Sequence, residues 1–204
     1  MKFIYVHILK TAGTTIRYSL LNTRYRGKCL YDSMFKLKYN KGVKTEHPLI
    51  IENQLYPRVN YKKYDVIFGH FKYDKYEHLN YPMFSFVRHP VSRMISNYYY
   101  FKGTYKRKGN NISLIEFSEI WKDHMTYILG DVSKYKYIGT VEKFKKSLNE
   151  MCDILGISPP KNIVPRRVSN KYKPSEISKK TRRKIAKMNM KDMELYNEVL
   201  KKWR

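Results

Sequence analysis

Three short apolar runs set the frame for this chain: "KFIYVH" at 2–7, "YDVIFGH" at 64–70 and "MFSFVRHP" at 83–90. The first reads as a buried strand and the other two as further core strands. A helix is expected over about 14–22, after the first run. After the third, Pro90 opens a helix whose apolar face is Val91, Met94, Ile95 and Tyr98. "YKYIGTVEKF" then reads as a strand running into a helix with the face Phe144, Leu148, Met151 and Leu155. Strands alternating with helices imply an α/β fold, a central mainly parallel sheet flanked by helices in a single domain over 1–204. In such sheets ligands sit outside the carboxyl ends of the strands. The ends here carry His7, His70 and Arg88.

Elsewhere the pattern is less regular. Leu114, Phe117, Trp121, Met125 and Ile128 predict one helix, and 156–174 reads as a Pro- and Gly-punctuated loop. Two helices close the chain near 175–187 and 189–203, the last with a buried stripe of Met193, Tyr196, Leu200 and Trp203. Residues 23–63 are basic and Tyr-rich, and only "HPLIIENQLYP" within them suggests an ordered segment.

"HILKTAGTT", 7–15, follows the first strand and opens a helix. A helix N-terminus offers unpaired N–H groups and partial positive charge. Ala12 and Gly13 let an oxyanion approach the backbone, Thr11, Thr14 and Thr15 add hydroxyls, and Lys10 adds a point charge. An ordinary capped helix would use the same residue types, with Thr14 as cap and Lys10 solvated. The loop is not a Walker A motif, which needs G-x-x-x-x-G-K-[ST]. Ile4 and Leu9 stand where its glycines would be, and the second strand ends in Gly69-His70, not in an acid that could help hold magnesium. In "FVRHPVSRMISNYYY", Arg88 and Ser96 can grip one phosphate together, by fork and by hydroxyl. Arg93 can do something similar or pair with an acid.

The two motifs together, in this order and with Gly-His between them and a final helix carrying Asp192-x-x-x-Tyr196, resemble the PAPS-dependent carbohydrate sulfotransferases. The similarity is closest to the group that includes heparan sulfate 2-O-sulfotransferase. Leu9 replaces a usual Pro and His89 a frequent Asp. The resemblance implies a P-loop-like sheet and the cofactor PAPS (3′-phosphoadenosine 5′-phosphosulfate), released as PAP, with no metal. It implies that Lys10, Thr11, Ala12, Gly13, Thr14 and Thr15 hold the 5′-phosphosulfate and Arg88 and Ser96 the 3′-phosphate. Arg167, Ser169 and Lys171 of "PRRVSNKY" match a segment that closes over the cofactor in that family, although a solvated basic loop would look the same. His70 matches the family's general base, and Lys10 would stabilise charge on the leaving group. Histidine titrates near working pH, which suits proton removal from a hydroxyl. Glu52 in "IIENQ" is the rival base, and a structural histidine at a strand end is the alternative role for His70.

Lys and Arg number 42 against 17 acids, a formal net charge of +25, so an anionic partner is expected. From Lys161 to Lys191 there are twelve Lys/Arg and one acid, Glu176. Such a stretch would attract an anionic, hydroxyl-bearing glycan acceptor, or it is simply a solvated face. A nucleic-acid-binding protein would suit the charge and the 20 tyrosines but leaves both motifs unexplained. A sulfotransferase fold that binds PAPS without turnover is the other alternative. No run approaches the roughly 18 apolar residues of a membrane span, and no signal-peptide stretch opens the chain. With Cys29 and Cys152 its only cysteines, a cytoplasmic setting is the expectation, with a disulfide between the two left open.

Overall fold

The structure is a computed structural model that describes residues 1–21, 23, 25, 28–32, 35–36, 50–51, 60–107, 111–163 and 176–203. Its frame is a sheet of five strands: β1 (Phe3–Val6), β2 (Cys29–Asp32), β5 (Val66–Gly69), β6 (Met83–Val87) and β7 (Tyr135–Thr140). Their spatial order is β2-β5-β1-β6-β7, and every pairing is parallel. A separate two-stranded antiparallel pair joins β3 (Phe35–Lys36) and β4 (Ile50–Ile51).

The sheet is covered on both faces, and strand alternation decides which residue goes where. Phe3 and Tyr5 of β1, Val66 and Phe68 of β5, and Phe84 and Phe86 of β6 share one core with α1 (Gly13–Leu21) and α5 (Phe144–Leu155). Ile4, Val6, Ile67 and Val87 point the other way. They pack with α2 (Pro90–Arg107), α3 (Leu114–Ile120), α4 (His124–Leu129), α6 (Lys179–Met188) and α7 (Met190–Lys202). This two-sided burial is why the strands read as continuous apolar runs.

Several expectations are corrected here. Cys29–Asp32, inside the stretch that offered no legible strand, is the edge strand of the main sheet. The helix expected through 114–128 is two helices, broken where Asp123 takes a left-handed φ of 50°. The buried stripe of α7 is Asp192, Leu195, Tyr196 and Val199, while Met193, Leu200 and Trp203 are only partly covered. Cys29 and Cys152 are free thiols. Among the described residues no helix is long and apolar enough to cross a membrane.

β1 is followed by strands on one side of it, β6 by β7 on the other. The connections therefore diverge between β1 and β6, and a crevice opens at that point outside their carboxyl ends. The order β5-β1-β6 places His70, the 7–15 loop and Arg88 side by side, with the loop in the centre. The Ser85 hydroxyl donates to Val6 O at 2.7 Å, locking β6 to β1 next to the crevice.

Candidate active site

The loop begins as a continuation of β1. His7 N–H donates to Gly69 O at 2.7 Å, one residue past the strand. The chain then turns sharply through Lys10 (φ 67°) and Ala12 (φ 62°), two L-residues in the left-handed region. That region costs a non-glycine roughly 1–2 kcal/mol per residue, so the surrounding contacts must hold it. One such contact is the buried Thr11, whose hydroxyl donates to Ile8 O at 2.8 Å. Left-handed residues within a turn curl successive N–H groups into an anion-binding concavity. Ile16 N–H, donating to Ala12 O at 3.1 Å, starts the helical ladder, so the loop runs straight into the first turn of α1. Gly13 has a separate reason to be glycine: a Cβ there would fall inside the His7 ring.

The His7 ring stacks on that of His70, centroids 4.1 Å apart and 27° from parallel. His70 Nδ1 lies 2.7 Å from His7 O. A carbonyl only accepts, so Nδ1 carries the proton and Nε2 is left with its lone pair, the form a general base needs. His70 N–H donates to Asp32 O at 3.0 Å, which fixes the backbone as well. Burial pushes the His70 imidazole down to about 4, against the opposing pull of the His7 carbonyl and the Asp32 charge. His7 is held well below the usual range by burial, next by mutual repulsion with a protonated His70 ring, and then by the positive fields of Arg17 and Lys10. His7 Nδ1 is buried and has no hydrogen-bond partner among the described residues.

Asp32, at the end of β2, was not singled out in the sequence. Its Oδ2 accepts from Lys75 Nζ at 2.7 Å and from Tyr76 OH at 2.8 Å, with the Lys75 and Asp32 side chains 0% and 1% exposed. This buried ion pair anchors the strand end that holds His70.

Across the crevice, Arg88 is partly exposed and has no acidic partner among the described residues. Ser96 is buried nearby in sequence, two turns into α2. Arg93 pairs with an acid through one nitrogen, and its Nε and Nη1 are buried with no hydrogen-bond partner among the described residues. It is fully buried and its Nη2 lies 3.3 Å from Asp192 Oδ2. Lys10 Nζ sits 4.5 Å from the centroid of the half-exposed Tyr100 ring. Thr14 is partly exposed and Thr15 buried, both in the first turn of α1. Arg17, one turn further on, lies over Tyr31 at 4.4 Å and adds to the positive field at His7. The helical spacing from Gly13 is the only signal that would have found it. Glu52, Arg167, Ser169 and Lys171 lie outside the described residues. Among the described residues no group of three or more potential metal ligands occurs.

A profile described as "Sulfotransferase family" matches residues 1–197. The chain belongs to the sulfotransferase family. A sulfotransferase from Alicyclobacillus acidocaldarius has a similar fold, with a TM-score of 0.50 at 13% identity over 98% of this chain and 96% of that one. Mouse sulfotransferase SULT7A1, solved complexed with PAP, aligns over 100% of this chain and 89% of its own at 12% identity, with a TM-score of 0.45. No curated protein matches the chain. Membership of the sulfotransferase family makes sulfuryl transfer the activity to be explained.

Proposed function

We propose that this sulfotransferase takes PAPS as donor and passes its sulfuryl group to a carbohydrate hydroxyl, with His70 as general base. The observation that carries the proposal is the arrangement at the strand ends. A left-handed loop at Lys10 and Ala12 is flanked on one side by a histidine of fixed tautomer and on the other by an arginine with no acidic partner among the described residues. Two features favour a bound polyanion there. His7 Nδ1 is an orphaned buried polar atom beside the loop, and Lys10, Arg17 and Arg88 bring positive charge to the strand ends.

PAPS, when bound, supplies the activated sulfuryl group. Lys10, Thr14, Thr15 and the N–H groups of the first turn of α1 would hold its 5′-phosphosulfate, and Arg88 with Ser96 its 3′-phosphate. Lys10 and the helix N-terminus supply positive potential where the leaving group gains charge, at no cost of reorganisation. His70 Nε2 accepts the proton of the acceptor hydroxyl while Nδ1–H stays on His7 O. An anion in the loop raises the basicity of the ring from its low resting value. On α6, Lys179, Lys180, Arg183, Lys184 and Lys187 are all exposed, a surface that supports an anionic glycan as acceptor.

Calorimetric titration with PAP tests the reading. The expected result is saturable 1:1 binding, abolished or weakened at least about thirtyfold in Arg88→Ala and in Lys10→Ala. Absence of binding at millimolar PAP would refute it. With radiolabelled PAPS and a pool of glycans, His70→Ala should lower transfer by roughly a hundredfold or more while PAP affinity holds. Undiminished transfer would remove His70 from the mechanism.

A further inference from the structure

The last helix carries a contact pattern that the proposed chemistry has not used. Tyr196 of α7 donates its hydroxyl to Glu142 Oε2 at 3.1 Å, and the other oxygen, Oε1, accepts from the His89 backbone N–H at 2.9 Å. The rings of His89 and Tyr196 meet edge to face at 5.5 Å. Glu142 is itself placed by the sheet, because Val141 N–H donates to Val87 O at 2.9 Å and so prolongs the β6–β7 ladder. One turn earlier on α7, Asp192 Oδ2 faces Arg93 Nη2 in the first turn of α2. Asp192 is in turn fixed by Met125 N–H, by Thr126 N–H at 2.8 Å and by the Thr126 hydroxyl at 2.9 Å. Positions 192 and 196 lie on one face of a helix. They therefore grip the chain on both sides of Pro90, at His89 and at Arg93, and the residue immediately before that grip is Arg88.

We propose that Asp192 and Tyr196 of α7, the latter acting through Glu142, are positioning residues that hold the Arg88 turn in the shape that receives a 3′-phosphate. The proposal rests on the cofactor reading above and adds residues that touch no ligand. A side chain as long as arginine selects one phosphate only if its own backbone is held, and a turn between a strand end and a helix start has few contacts of its own. Here the extra contacts come from the other end of the chain. Both oxygens of Glu142 are engaged, so losing either partner loosens the remaining bond as well.

The test compares PAP with adenosine 5′-monophosphate, which lacks the 3′-phosphate, by calorimetry on wild type, Tyr196→Phe, Glu142→Gln and the double variant. Hydrogen exchange of the segment 88–93 is followed in parallel. Each single variant should weaken PAP binding by about three- to tenfold and leave the monophosphate unchanged. The double variant should be no worse than the singles. Exchange in 88–93 should rise in the variants while the central strands stay protected. Equal losses for both nucleotides, or unchanged exchange at 88–93, would overturn the positioning role in favour of general stability. Glu142 is exposed, and its amide variant keeps the side chain's shape while replacing one of the two accepting oxygens by a donor, so it reports even where Tyr196→Phe perturbs packing. A wild type that fails to prefer PAP would refute the cofactor reading, and this proposal with it, before any variant is made. A wild type that prefers PAP, with variants that keep the preference, would overturn this proposal alone.

Discussion

Acidification should unfold this protein partly through one imidazole. Burial lowers His70 from its ordinary 6.5 to about 4, so the folded state resists a proton that the unfolded chain accepts. The unfolded state therefore binds more protons between those values, and stability falls as pH falls. The contribution is whole above pH 6.5, declines below it, and is fully lost near pH 4. That interval is worth roughly 3 kcal/mol, since each pKa unit is about 1.4 kcal/mol. The groups facing the ring are His7, stacked at 4.1 Å, and the Asp32 carboxylate at the adjacent strand end, itself neutralised by Lys75. Urea denaturation at half-unit steps from pH 7.5 to 4 measures the effect in wild type and in His70→Gln, which keeps a donor for His7 O and cannot titrate. The wild type should lose roughly 3 kcal/mol more than the variant over this range. An NMR titration of the His70 ring carbon should show no midpoint above pH 5. Parallel acid limbs for the two proteins, or a midpoint between 6 and 7, would refute both the buried tautomer and its assignment as a base held neutral.

Two further outcomes test the supports of the site. Lys75→Met strips the cation from a buried carboxylate and should cost about 3–5 kcal/mol in chemical denaturation, with Lys75→Met/Asp32→Asn recovering at least half, whereas a loss under about 1 kcal/mol would mean the pair is hydrated. At Ala12, held at φ 62°, glycine should be neutral or stabilising by up to about 1 kcal/mol and valine destabilising by about 1–2 kcal/mol, and a valine variant as stable as wild type in the same denaturation experiment would remove the left-handed turn from the account.

The strand ends were legible because a parallel strand buried on two faces must be apolar along its length, and the residue that follows it enters the crevice. His7, His70 and Arg88 were therefore brought to one edge by pattern alone. β2 was not legible. It is four residues long, lies at the edge, exposes Tyr31 and ends in Asp32, whose charge is tolerated only because Lys75 arrives from a segment far along the chain. The break between α3 and α4 was hidden for a related reason. The apolar period runs on through Trp121 and Met125, and only the Asp192 carboxylate, accepting from Met125 and Thr126 N–H, makes a new helix start there favourable. The same carboxylate explains the misplaced stripe of α7. Its pairing with Arg93 draws Asp192 inward, and Leu195 and Val199 follow it into the core ahead of Met193 and Leu200. In each case a charge partnered across the fold overrides a local hydropathy signal.

The missing Walker glycines take on a physical meaning once the two histidines are in view. A loop with glycine at Lys10 and Ala12 would reach the left-handed region freely, but it would also leave that region freely. Here the only glycine of the loop is kept where the His7 ring needs space, and the bends are carried by residues that must be held. What holds them is the end of β1, and the same backbone holds the base. His7 N–H is bound to Gly69 O, and His7 O receives His70 Nδ1–H. The anion loop and the imidazole are thus both tied to one residue, His7. Any shift that carries the loop toward a bound anion carries the His70 hydrogen-bond acceptor with it. Loop and base are therefore positioned as a unit, so a substitution that displaces His7, such as Gly13→Ala, should disturb anion binding and proton transfer together and neither of them alone.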